Sequence, residues 1–557
     1  MTYDFCGKKV RGRFAFPSGI VATTIDTARL MLKSVPEIGI YESKVITINP
    51  EQGNPEDILC QMGPGSFVNA VRFANPGLEE MIQEIGELRE SAGKDVFIMP
   101  QIGEATPDEF VHCVREFERN GALVDGYSAN LSCPHAKARG ITIGNNPDSV
   151  YDVFRQLRRV TSKSLFIKAA AGFEEQIAAA LKGGATGAIG INTLRVDAPE
   201  LWNEFGGMSG AQLFPVTLEN VRRIRKRFPD MPMAVMGGIS GASQIMQIDS
   251  EFPGLFYGIG TALAGMDTEQ VIRYFHELGL DLKNRTENAE KLAIDRIMME
   301  YKPFIVKEVE RYGKEICLVK FFENLDARPG QFVFVKTDNK HSKPFSVADD
   351  SEGLEIVVRG VGETSKKITE LKPNSVVRIR GPYGAEFEMP KGKPAVFIGA
   401  GCGIAPVHHA ASHHNGQRYF LVGAKTGEEL VYLSRLAEMG PVYMATENGT
   451  EGTFRGNIVE MLRKNAYKSE LRGANYFVCG PEVAMKGLHP ILLNLAEGDR
   501  SKINYLVERM TKCGVGLCGS CAIPSGERSC VDGPVFTAVQ FSPGTYKRDK
   551  AGARVKF

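Results

Sequence analysis

Cys513, Cys518, Cys521 and Cys530 are spaced C-x4-C-x2-C-x8-C, and they gather four of the chain's eleven cysteines into one short loop. No apolar run near Met1 resembles a secretory core of about 7–15 residues. The expected compartment is therefore the reducing cytoplasm, where such a cluster points to metal and not to disulfide bridges. The first three cysteines have the spacing of a plant-type 2Fe–2S site, with a fourth ligand further along. A loop reading CGVGLCGSC must wrap an inorganic core with its N–H groups turned inward, and Gly514, Gly516 and Gly519 remove side chains that would block that approach. Four thiolates also suit structural zinc, although zinc sites more often use two C-x2–4-C knuckles.

Few chains of 557 residues consist of one domain, and at about 150 residues each this one has room for three or four. Residues 1–282 alternate strand-like runs (VFIMPQIG from 96, SLFIKAAAG from 164, TGAIGINT from 186, MPMAVMGG from 231) with helical ones (SVYDVFRQLRRV from 149, VTLENVRRIRKRF from 216). Repeated strand–helix alternation means parallel strands with crossover helices, and this length suits an α/β fold of the (β/α)8 barrel type. A doubly wound sheet gives a similar pattern. Residues 283–300 are polar and rich in helix formers, as a linker helix would be. From 301 to 390 the strands become short and alternating, as in an antiparallel β-barrel. From 391 to 505 the α/β alternation returns, and 506–557 holds the cysteine cluster and a basic tail.

Charge and hydropathy exclude some classes. Lys plus Arg is 67 and Asp plus Glu is 66, a formal net charge of +1, so no nucleic-acid partner is expected. No run approaches the roughly 18 apolar residues of a membrane span, so no membrane partner is expected either.

Polar groups stand at the ends of the predicted strands in the first part. Cys133 lies in NLSCPHAKARG just after one strand, Lys168 and Lys44 end two others, Asn192 and Thr193 end a fourth, and Asn69 sits in GSFVNAV. In a barrel these converge on the face that holds active sites. A lone cysteine is more often an inert buried residue, so Cys133 draws its interest from these companions. Later, PAVFIGAGCGIAP runs from a buried strand into a turn carrying Gly399, Gly401 and Gly403 ahead of a helix. Such a turn presents backbone amides to a pyrophosphate, although an ordinary strand-to-helix turn reads the same way.

KPFSVA (Lys343, Pro344, Phe345, Ser346), VGETSKK (Gly362, Thr364), GPYG and YFVCGPEVAMK (Cys479, Gly480, Pro481) together resemble the ferredoxin–NADP reductase superfamily. The resemblance implies an antiparallel barrel that binds FAD and an α/β domain that binds NAD(H). With the C-terminal cluster it narrows to the electron-transfer subunits of NAD-dependent dihydroorotate dehydrogenases, over about residues 300–545. One departure is Lys343, where the family carries arginine; lysine keeps the charge but loses the bidentate fork.

The first part resembles the class 1 dihydroorotate dehydrogenases, which bind FMN, over about residues 5–280. GGMSG (Gly207, Ser209), MGGIS (Gly237, Gly238) and GIGTAL (Gly260, Thr261) match the family's late-strand flavin phosphate loops, and PSG (Ser18, Gly19) its early flavin-facing turn. The resemblance implies that Cys133 is the general base, that Lys168 steadies negative charge on the flavin, and that Lys44 lies at the flavin edge. It implies substrate contacts from Asn69, Asn130, Asn192 and Thr193, and a homodimer or larger homo-oligomer. Two departures face the substrate. Arg72 replaces a family glycine, and His135 replaces an asparagine, giving the S-C-P-H of dihydropyrimidine dehydrogenases. Arg72 suits an anionic substrate if it faces the pocket; pointing to solvent is its ordinary alternative.

The expected function is an NAD-linked dihydroorotate–orotate oxidoreductase with a relay from FMN through 2Fe–2S and FAD to NAD. Two alternatives remain: a reductase of another cyclic amide or unsaturated anion, and an electron-transfer module with a silent barrel.

Overall fold

In the computed structural model, residues 2–121, 124–131, 143–201, 204–292, 297–338, 341–387, 389–466 and 468–544 are described. Eight parallel strands close the first barrel in chain order. They are β1 (Phe14–Phe16), β2 (Ile38–Ile46), β3 (Phe97–Ile102), β4 (Gly126–Asn130), β5 (Ser164–Ala169), β6 (Gly187–Gly190), β7 (Met233–Met236) and β8 (Phe256–Gly258). Helices α1 (Ile25–Ser34), α2 (Leu78–Ala92), α3 (Pro107–Arg119), α4 (Pro147–Arg158), α5 (Glu174–Gly183), α6 (Phe214–Arg227) and α7 (Ala242–Glu251) make the crossovers, and α8 (Thr268–Asn284) follows β8. This is the (β/α)8 alternative, and the pairing of β8 with β1 closes the circle that a doubly wound sheet leaves open.

The position of the site follows from the strand period of two. Along β2 the inward residues are Ile40, Glu42 and Lys44; along β3 they are Phe97, Met99 and Gln101. Each series starts apolar and ends polar. The apolar end holds Ile40, Phe97, Met99, Phe166, Ile189, Ala234 and Phe256 in one buried cluster. An N-terminal hairpin, Tyr3–Phe5 with Lys8–Val10, plugs that end, and the Phe5 ring stacks on Phe166 at 5.3 Å. The strands' C-terminal ends are left as the open mouth.

The expected linker helix over 283–300 is broken. Arg285 adopts φ 59° and ends α8; a separate helix α9 begins at Asn288 and is described to Leu292, and 297–300 is irregular. The cause is a side-chain cap: the buried Asp281 carboxylate accepts from the Ala289 N–H at 2.7 Å and from the Thr286 hydroxyl.

Six antiparallel strands close the second barrel: β9 (Lys302–Tyr312), β10 (Ile316–Phe321), β11 (Phe332–Lys336), β12 (Ser342–Asp349), β13 (Glu355–Arg359) and β14 (Val376–Tyr383), in the order β9-β10-β13-β12-β11-β14. A seven-stranded sheet follows: β15 (Ala395–Ala400), β16 (Arg418–Ala424), β17 (Val442–Thr446), β18 (Phe454–Arg455), β19 (Asn475–Cys479), β20 (Ile503–Leu506) and β21 (Val535–Thr537). Its order is β18-β17-β16-β15-β19-β20-β21, and only β21 is antiparallel. The cysteine loop is the excursion between the last two strands. Among the described residues no helix is long and apolar enough to cross a membrane.

Candidate functional site

The polar layer of the first barrel is one connected network. The Lys168 Nζ lies 2.7 Å from Glu42 Oε2, and both side chains are buried. Glu42 also accepts from Gln101 Nε2 at 2.6 Å, from Ser128 Oγ at 2.9 Å and from the Ser18 N–H at 3.2 Å. Gln101 Oε1 accepts from Ser18 Oγ and from Asn130 Nδ2, each at 3.1 Å, and Asn192 Nδ2 donates to Asn130 Oδ1 at 3.3 Å. Burying a carboxylate is costly unless donors in this number satisfy its oxygens. Glu42, Gln101 and Ser128 were not among the sequence-based candidates. Their signal is a polar residue at an inward position of a buried strand.

Above this layer lies a cavity. Lys44, Asn69, Arg72, Asn130, Lys168, Asn192 and Thr193 all line it, so the expected substrate-side residues meet, with the exception of Cys133 and His135, which lie outside the described residues. Arg72 adopts φ 61° and faces the cavity, not solvent alone. Ser18, Gly19, Ser209, Gly237, Gly238, Gly260 and Thr261 line the same space. Gly238, at φ 75°, has no room for a side chain, because a Cβ there would collide with the backbone of Phe214 at the start of α6. A turn of bare backbone beside a helix start fits a flavin phosphate.

GGMSG differs from its expected role as a turn after a barrel strand. Phe205–Gly210 is a strand in a four-stranded antiparallel sheet with Leu59–Gly63, Ser66–Asn69 and Leu194–Asp197. Ser209 still reaches the cavity. Gly207 does not line it; its carbonyl accepts from Asn69 Nδ2 at 3.0 Å and so orients that amide.

The cysteine loop enters the same cavity. Leu517 and Cys518 are part of its lining. The loop is fastened to the first barrel by the Val21 N–H donating to the Leu517 carbonyl and the Gly265 N–H to the Val515 carbonyl, both at 2.8 Å. Cys513, Cys521 and Cys530 are buried, and Cys521 Sγ lies 3.4 Å from Cys530 Sγ. The Cys518 and Cys530 thiols donate to Cys513 and hold its thiol below the usual range. The Gly516 N–H donates to Cys530 Sγ at 3.2 Å, which is the inward-turned amide that the glycine spacing predicts. Cys518 and Cys530 adjoin Cys513, and Cys521 adjoins Cys530, so the four thiols form one donor set, which fits the 2Fe–2S ligand spacing.

On the reductase side, Lys343, Pro344, Phe345 and Ser346 lie within β12, paired with β11. The Lys343 ammonium meets Glu56 of the first barrel's polypeptide at 2.7 Å. Gly362 is the N-cap of α10 (Glu363–Thr369), and Thr364 is buried in its first turn. A cation at one edge of the barrel and a glycine-capped helix start at another fit a dinucleotide with charged phosphates.

Gly399, Gly401 and Gly403 lead from β15 into α11 (Ile404–Ser412), and Gly399 is the register partner of Cys479 on β19. Strands β16–β18 lie on one side of β15 and β19–β20 on the other, so this pair is the point where strand order reverses and open α/β sheets bind nucleotides. A Cβ on Gly480 would approach the Ala400 Cβ at 2.8 Å, so the two turns abut. Arg359 ends β13 beside this crevice and pairs with Glu429 at 2.9 Å. It too was not a sequence-based candidate.

Three family models match the chain: "Dihydroorotate dehydrogenase" over residues 1–254, "Oxidoreductase FAD-binding domain" over 305–387, and "Iron-sulfur cluster binding domain of dihydroorotate dehydrogenase B" over 508–542. A probable dihydroorotate dehydrogenase B (NAD(+)) electron transfer subunit of Pyrococcus abyssi is 35% identical over 237 residues, which cover 42% of this chain and 90% of that protein. Two proteins of Methanocaldococcus jannaschii also match. A probable electron transfer subunit is 31% identical over 266 residues, covering 46% of this chain and 99% of that protein. A dihydroorotate dehydrogenase B (NAD(+)) catalytic subunit is 29% identical over 297 residues, covering 50% and 95%.

Proposed function

The chain belongs to the dihydroorotate dehydrogenase B family and carries the parts of its catalytic and electron-transfer subunits in one polypeptide, and from that premise we propose that it oxidises dihydroorotate to orotate in the first barrel and delivers the electrons to NAD+. When bound, FMN supplies hydride acceptance, the 2Fe–2S cluster single-electron transfer, and FAD the return to a two-electron donor for NAD+, in that order. The observation that carries this reading is the entry of Leu517 and Cys518 into the cavity lined by Lys44, Lys168 and Asn192.

The chain's own residues divide the work. Cys133 takes the acidic proton next to the substrate carbonyl; a free thiol titrates near pH 8.5, so a modest depression yields a usable thiolate. Lys168, oriented by Glu42, holds positive charge where negative charge develops on the flavin. Lys44 borders the flavin edge beside Gly19. Arg72 meets the substrate carboxylate, and Asn69, Asn130, Asn192, Thr193 and His135 complete its contacts. Ser18, Gly19, Ser209, Gly237, Gly238, Gly260 and Thr261 cradle FMN. FAD is held by Lys343–Ser346, Gly362 and Thr364, and NAD(H) by the Gly399–Gly403 turn with Cys479, Gly480 and Pro481.

The test is an anaerobic mixture of oxidised protein and dihydroorotate followed by visible flavin absorbance. Bleaching of about half the flavin, followed by spread to the remainder, supports both substrate and relay. Absence of bleaching in protein that NADH still reduces rejects dihydroorotate as substrate. Cys133→Ser should slow the first bleaching at least about a hundredfold, the lower range for losing a general base, while reduction by NADH is unchanged.

A further inference from the structure

The cysteine loop is gripped by two arginines, Arg380 and Arg528, that are the largest fully buried side chains of the described protein. Arg380 comes from β14 of the second barrel. Its Nη1 donates to the Cys513 carbonyl at 3.0 Å and to the Tyr383 hydroxyl at 2.9 Å, and its Nε donates to the Tyr301 hydroxyl at 3.0 Å. Its Cζ lies 3.9 Å over the Phe334 ring. Its Nη2 is buried without a hydrogen-bond partner, 3.7 Å from Asp57 Oδ1 of the first barrel's polypeptide. Arg528 donates through Nη1 to the Gly516 carbonyl at 2.7 Å and through Nη2 to Met266 at 3.0 Å, with Asp532 3.6 Å from its Nε.

The charges around Arg380 do not cancel. Asp57 is its one carboxylate, and Asp57 is shared with Lys336 at 2.9 Å and the Ser342 hydroxyl at 2.5 Å. Two cations and one anion leave positive charge buried against the backbone of Cys513. Four thiolates, two sulfides and two ferric ions sum to a dianion, and one added electron makes a trianion. A buried cation favours the more negative state, and such charges are among the levers that set cluster potentials.

We propose that Arg380 is a positioning residue for the cluster: it anchors Cys513 and holds the cluster's reduction potential up, while Asp57 opposes it from the other barrel. A fully buried guanidinium is a costly way to satisfy two tyrosines and a carbonyl, which neutral groups can do. The arrangement gains meaning if the loop itself carries negative charge. The inference rests on the cluster reading and is independent of which substrate the first barrel takes.

The experiment is a potentiometric titration of the reduced-cluster electron paramagnetic resonance signal in the full-length holoprotein. Arg380→Gln should lower the midpoint by about a tenfold change in the one-electron equilibrium, about 59 mV. Asp57→Asn should raise it. Opposite shifts at full cluster content support the proposal, because mere loosening does not reverse sign with the charge removed. Unmoved midpoints, or two shifts in the same direction, overturn it. If Arg380→Gln fails to retain its cluster, Asp57→Asn decides alone: an upward shift supports, and any other result overturns. Wild-type protein with no cluster signal overturns the cluster reading itself, and this inference with it.

Discussion

At the scale of single residues, charge pairing inside the first barrel bears on stability and on the proposed chemistry. Lys168 and Glu42 are a buried pair, and removing one partner of such a pair costs about 3–5 kcal/mol because the other is left charged without compensation. Glu42 keeps three other donors, so Lys168→Met is expected near the lower end, about 3 kcal/mol by urea unfolding. Adding Glu42→Gln should recover most of the loss without restoring flavin reduction by substrate. Arg72 makes a separable prediction: Arg72→Ala should raise KM for dihydroorotate at least about tenfold, the worth of one charge-assisted pair, with NADH-driven reduction unaltered.

At the scale of elements, helix α11 follows the turn proposed to bind NAD(H) and carries a buried imidazole. His409 is shielded from water, and burial, with His413 adjacent, pushes its pKa down to about 4. The neutral ring is the stable form in the fold, and the unfolded chain binds the proton more readily. Its contribution is therefore complete above about pH 6.5 and is lost as pH falls toward 4, amounting to about 3 kcal/mol across that window. His408, lowered by burial on the same helix, has the same sign. Thermal unfolding followed from pH 7 to pH 4 should decline steeply in the wild type and less steeply in His409→Leu.

At the scale of the whole molecule, the cysteine loop is a wedge between two barrels. One side is tied to Val21 and Gly265 of the first, the other to Arg380 of the second. Cys518→Ser should divide the two ends: NADH still bleaches the FAD, and electrons do not reach the FMN. Docking of the loop is tested at Gly526, at φ 102°, where a side chain strains the loop backbone and a Cβ would lie 2.6 Å from the Asp26 carbonyl and 2.7 Å from the Leu30 Cβ of α1. Gly526→Val should leave cofactor content intact and slow spread of electrons from the first flavin at least about tenfold in stopped-flow traces, a cost of roughly 1.4 kcal/mol.

The sequence by itself determined the order of folds, because strand–helix alternation and short alternating strands follow from local period, and it determined the cysteine loop, because ligand spacing is a property of neighbours along the chain. It also marked Lys44, Asn69, Lys168 and Asn192, which stand at or near strand ends and so share the barrel mouth. Tertiary structure decided what depends on distant segments meeting. The Glu42–Gln101–Ser128 network exists because β2, β3 and β4 are adjacent, and Arg359 reaches the Gly399–Gly403 turn from another barrel. GGMSG became a strand because residues 66–69 were available to pair with it. The linker helix broke because Asp281 captured the Ala289 N–H in place of a helical carbonyl. Above all, only the fold brought Cys518 to the cavity of Lys168, since a distance of hundreds of residues along the chain carries no local signal.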